Sequence, residues 1–181
     1  MLSSDLIRAL RLDGGLYTEA RADATATTRS LAVVVLVALA HGVGGIIRSI
    51  AFGRDPILES FLVGVQGEIV FWVVAGAVIY LVGRYVLGGR GTYGQVIRPL
   101  GFAVAPGLLI VAAALASLVG SGPQVLAFGV LVAWRLVASF VAVRQALGLN
   151  RVKSTITLLA GTICGLAMVG GSIATMLTVF G

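Results

Sequence analysis

Residues 83–106 read GRYVLGGRGTYGQVIRPLGFAVAP, three arginines and six glycines set between two apolar runs. The runs on either side, 61–82 and 99–119, are each about the length that crosses a bilayer. A ~30 Å hydrocarbon core at 1.5 Å rise takes roughly 20 helical residues. Three guanidiniums are too costly to leave in hydrocarbon, so the segment reads as a short aqueous turn joining two spanning helices. Within it, GRGTYG at residues 89–94 matches the dinucleotide-binding pattern G-x-G-x-x-G by letter. It follows a spanning helix rather than a strand, and no βαβ unit surrounds it. It reads as a tight turn whose glycines supply positive φ, and no cofactor is expected.

Composition sets the same frame. The 181-residue chain is 59% hydrophobic and 11% charged, with a mean hydropathy of +1.07. A soluble domain is nearer half apolar and a quarter charged, so the chain reads as a polytopic membrane protein. Its net charge of +6 would point to nucleic acid in a soluble protein. Here the arginines flank apolar runs, where topology and anionic headgroups account for them, and no basic surface is interleaved with aromatics for nucleic-acid binding. The first apolar run starts near Leu31, too late and too long for a cleavable signal peptide.

Moving outward from the central turn, five runs emerge, at 30–50, 61–82, 99–119, 124–143 and 155–180. Their basic residues alternate. Four arginines precede the first run, and the second and fourth connections carry three cations each, ten in all on one side. The other side has two, Arg48 and Arg54, and the thirteenth, Arg135, lies inside a run. The positive-inside rule then gives an all-α, five-helix transmembrane bundle with a cytoplasmic N-terminus and an external C-terminus. Residues 1–29 form a cytoplasmic tail and 30–181 the membrane domain. In the tail Leu2, Leu6 and Leu10 recur every four residues and Asp13-Gly14-Gly15 ends the pattern. That describes either a solvated tail or an amphipathic helix lying at the interface.

Few polar groups lie at membrane depth. Counted from the run ends, Glu68 sits about 10 Å deep and Arg135 about 17 Å. A charge there faces the bundle interior with a partner, so the two are expected to pair between the second and fourth spans, with Gln66 assisting. The pair acts either as structural glue or in a path for an ion, proton or headgroup. His41, beside Gly42, Gly44 and Gly45, is either packed and hydrogen-bonded or a pH sensor. No metal-ligand spacing surrounds it, and the single cysteine, Cys164, lies in an apolar run. Gly161 and Gly165 form a small-xxx-small seam for helix packing or homodimerisation. Pro106 should kink the third span, whereas Pro99 and Pro123 are expected at span starts. No Ser/His/Asp set, carboxylate pair or HExxH occurs, so the chain is not expected to be an enzyme.

Three stretches also resemble a family. LGGRGTYGQVIRPLGFAVAPGLL at 87–109 is similar to the central signature of the Yip1 domain family, with its GG turn, Arg-Pro, glycine-aromatic and in-span proline. WRLVASFVAVRQALGLNRVKS at 134–154 resembles the later block, and LRLDGGLYTEARADATATTRSLAVVV at 10–35 the lead-in of prokaryotic members. The resemblance implies five transmembrane helices with a cytoplasmic N-terminus and no catalytic residues. In eukaryotes it is linked to membrane traffic and lipid-modified small GTPases. That role is not carried over, because the tail here is far shorter.

The expected protein is therefore an integral membrane protein of the bacterial plasma membrane. It acts as a scaffold or accessory subunit binding membrane lipids, a membrane-protein partner or a second copy. The alternative is a small transporter, channel or lipid-moving protein whose cavity is lined by Glu68, Gln66, Arg135 and His41. Arg90, Tyr93 and Arg98 are the expected contacts to a partner or to headgroups.

Overall fold

The computed structural model describes residues 2–53 and 56–180, with 175–180 described by backbone alone. Arg54, in the first connection, and Gly181, at the C-terminal end, lie outside the described residues. The described residues are helical with no strand. Two short helices, α1 (Leu2–Leu10) and α2 (Gly14–Ala22), precede the bundle. The spans are α3 (Ala26–Phe52); α4 (Ile57–Leu81), extended by one widened turn to Val86; a third, broken span of α5 (Tyr93–Ala103) and α6 (Ile110–Leu115); α7 (Ser121–Leu147); and α8 (Arg151–Phe180). All five are long and apolar enough to cross a membrane.

Helix ends outrun the apolar runs that announce them. Between the second and third spans, the widened turn closes with Leu87 N–H on the Val82 carbonyl at 3.0 Å. Helix α5 starts at Tyr93 because Thr92 and Gln95 form a reciprocal capping box. The aqueous turn is therefore only 87–92, not the whole of 83–98. Pro99 consequently falls inside α5 rather than at a span start. The turn is held from two sides: Lys153 Nζ donates to the Leu87 carbonyl at 2.9 Å, and Arg90 N–H to Leu147 carbonyl at 2.9 Å. Gly88 and Gly91 have φ of +74° and +132°, as a tight turn requires.

The third span is the centre of the bundle: 67% of its most apolar stretch is buried, against 17% for α7. It is also the broken one. After Val104 the chain tightens into a 3₁₀ stretch, Ala105–Leu109, with Pro106 near its start. Backbone polar groups freed by such a break are tolerable only inside protein or beside a cavity, so the break and the burial belong together.

Glycines set the other contacts. A Cβ on Gly42 would lie 2.6 Å from the Phe61 ring on α4, and one on Gly165 2.9 Å from Phe71. A Cβ on Gly161 would lie 2.5 Å from Ile79 Cγ1 and 2.9 Å from the Ala75 carbonyl oxygen. The Gly161/Gly165 stripe is thus an intramolecular seam between α8 and α4.

The N-terminal segment is docked on the bundle. Helix α2 packs against α5 and α7, with Tyr17 fully buried. The Trp134 indole of α7 donates to the Leu10 carbonyl at 3.2 Å. Two of the segment's arginines take up all four of its carboxylates. Arg8 binds Asp13 (2.7 Å) and Glu19 (2.7 Å), and Arg29 binds Asp5 (2.8 Å) and Asp23 (2.9 Å). Asp13 and Glu19 are held below the usual carboxylate range, chiefly by the Arg8 guanidinium, and Asp23 by the Thr25 hydroxyl.

Candidate functional site

Glu68 and Arg135 meet. Because α4 begins at Ile57 and α7 at Ser121, Glu68 lies about 16 Å and Arg135 about 21 Å along their helices, counted at 1.5 Å per residue. That offset is within an arginine's reach. Arg135 Nη1 donates to Glu68 Oε2 at 2.8 Å and Nη2 to Oε1, a bidentate fork. The side chains are 17% and 3% exposed, so both charges are largely shielded from solvent and depend on each other. Phe71, one turn along from Glu68, lies under the guanidinium with its centroid 5.4 Å from Cζ.

His41 completes the cluster from α3. Its Nε2 is 3.7 Å from Glu68 Oε2. Its Nδ1 is 2.9 Å from the Val37 carbonyl. A carbonyl only accepts, so Nδ1 carries the hydrogen. A second proton, on Nε2, would face the carboxylate. Room for the cluster comes from the break in the third span. A Cβ on Gly107 would lie 3.3 Å from His41 Cε1 and 3.4 Å from Arg135 Nη1. Gln66 does not join. Two residues from Glu68, it is turned about 200° around the α4 axis, and it is not among the residues lining the space beside the pair.

That space is a cavity of about 560 Å³, walled chiefly by α4, α7 and α8 and completed by α3 and the third span. Glu68, Arg135, His41 and Arg48 supply its charged and titratable groups, and most of the remaining wall is aliphatic or aromatic. On α4 the lining runs from Val63 to Ile79, ~24 Å along the helix axis. The volume falls in the ~300–1,000 Å³ range of ligand sites. Charge counting assigned Arg48 only to the side opposite the N-terminus; in three dimensions it stands on the cavity wall. Only its sign was legible in the sequence.

The cations of the central turn divide. Arg98 is turned inward, donating to Thr27 Oγ1 at 3.0 Å and to the carbonyls of Arg21 (3.3 Å) and Asp23 (3.4 Å). It anchors the N-terminal segment. Arg90 and Tyr93 are exposed, and Tyr93 stacks edge-on against Tyr80 at 5.6 Å between centroids. Among the described residues no group of three His, Cys, Asp or Glu side chains is placed to hold a metal.

In comparisons with known proteins, the family model described as the Yip1 domain matches residues 18–174, most of the chain. No curated protein and no solved structure matches.

Proposed function

The chain belongs to the Yip1 domain family, and from that membership we propose a non-enzymatic protein of the bacterial plasma membrane that holds a membrane amphiphile in the cavity walled chiefly by α4, α7 and α8. One observation carries this reading: an apolar-walled space of about 560 Å³, among helices long and apolar enough to cross a membrane, with a closed ion pair on its wall. Water is a poor occupant of such walls. A lipid chain is a good one and is always at hand. The Glu68–Arg135 fork spends each charge on the other, which favours a positioning role over ion conduction.

A second reading, a scaffold or accessory subunit, rests on the other end of the molecule. Exposed Arg90, Tyr85 and Tyr93 stand beside the turn and offer a partner a basic, aromatic surface.

The test is lipid retention. Protein purified in mild detergent should carry about one lipid per chain by native mass spectrometry. Gly67→Phe should expel it, because a Cβ there meets nothing nearer than Val169 Cγ1 at 3.5 Å and the ring can extend into the cavity. Stoichiometric lipid that survives this substitution would remove the reading.

A further inference from the structure

Resting on that reading, we propose that Arg48 selects the occupant: it binds the phosphate of an anionic phospholipid whose acyl chain lies in the cavity. Arg48 lines the large cavity and also a smaller one of about 210 Å³, and the two share Ile110 and Phe128. They form one two-lobed space that meets at Arg48, Ile110 and Phe128, and Gln124 also lines the smaller lobe.

Of the two arginines in this space, Arg135 is neutralised by the Glu68 carboxylate. Arg48 is exposed and makes no ion pair or side-chain hydrogen bond among the described residues. Among the described residues, Arg48 is therefore the arginine of this space that no carboxylate neutralises. A guanidinium offers a planar set of donors matched to phosphate oxygens. The Gln124 amide adds further donors.

Depth fits a headgroup. Helix α3 has 27 residues, about 40 Å, so it overhangs a ~30 Å core by roughly 5 Å at each end. Arg48 is four residues from the helix end at Phe52, roughly 6 Å along the axis, where hydrocarbon gives way to phosphate. From there the large lobe runs inward past the Glu68–Arg135 pair.

Selectivity has to come from this end. An acyl chain moving from bilayer to an apolar cavity gains almost no hydrophobic free energy, since lipid tails are as apolar as the leucines they would touch. What separates one lipid from another here is the attraction of a net-negative headgroup to the Arg48 guanidinium at the edge of the hydrocarbon.

The test uses full-length protein in nanodiscs of phosphatidylcholine containing a minor share of phosphatidylglycerol, then extracted and weighed by native mass spectrometry. Phosphatidylglycerol should be retained about tenfold beyond its share. Arg48→Gln should abolish the preference while leaving phosphatidylcholine bound, Arg48→Lys should keep part of it, and Gln124→Ala should lower it. Arg48 has no ion-pair or side-chain hydrogen-bond partner among the described residues, so an unchanged melting temperature is expected and separates binding from folding. Millimolar inorganic phosphate should leave retention unchanged. Displacement by phosphate would reassign Arg48 to a free anion and overturn the proposal. An undiminished preference in Arg48→Gln would overturn it while sparing the cavity reading. Wild-type protein retaining no lipid would remove both.

Discussion

Arg135 of α7 grips Glu68 of α4 with both terminal nitrogens of its guanidinium, and this fork fastens two helices that otherwise stand apart across a cavity. Removing one partner strands a buried charge, at about 3–5 kcal/mol. Removing both leaves apolar wall. Glu68→Leu and Arg135→Leu should each lower unfolding free energy in detergent by roughly that amount, and the double variant should be more stable than either single. A double variant worse than the summed singles would contradict the pairing.

The α4–α8 seam leaves no room for side chains. Gly161→Leu should cost about 1–3 kcal/mol through overpacking against Ile79. The protein should show no change of oligomeric state by light scattering. Gly170→Ala, where a Cβ meets nothing within 4 Å, should stay within about 0.5 kcal/mol of the parent. Dissociation of an oligomer by Gly161→Leu would assign the seam to a dimer instead.

Orientation rests on charge, and the structure gathers the charge at one end. Arg98 holds the α2 end, Lys153 the central turn and Arg21 the Gln145 carbonyl. In a Cys164→Ala background, an impermeant thiol reagent added to intact cells should label Gly122→Cys. It should reach Thr92→Cys only after permeabilisation. The reverse pattern would invert the topology.

The N-terminal hairpin should release in acid. Asp13, Glu19 and Asp23 have folded-state values below their ordinary ones. Their contribution is therefore fully present above the unfolded carboxylate range, about pH 4, and is lost as pH falls through the lower folded values. Spin labels at Ser3→Cys and Thr92→Cys should hold a narrow distance distribution from pH 7 to about pH 5 and broaden below about pH 4. Arg8→Ala should broaden it already at neutral pH.

Loss of the Trp134 indole hydrogen bond to the Leu10 carbonyl should act on the same hairpin. Trp134→Phe is expected to cost about 1 kcal/mol, read as a lower melting temperature and a broadened label distance at neutral pH.

The sequence by itself determined the number of spans, their order, the ends at which the basic residues gather and the Glu68–Arg135 partnership. Bilayer thickness is a fixed ruler for apolar runs, and two opposite charges at similar depth have few alternatives to each other. It did not determine rotation about each helix axis. In water, a hydrophobic face shows which side is inside. In hydrocarbon the outside is as apolar as the core, so nothing in the runs announced that Gln66 turns from the pair, that Gly161 faces α4, or that Arg48 lines a cavity. Helix ends were misplaced for a related reason: Pro99 lies inside α5 because a capping box, not the end of apolarity, starts that helix. Only the tertiary structure made the cavity, because its walls are gathered from all five spans, and the room beside its ion pair depends on the break at Pro106 and Gly107.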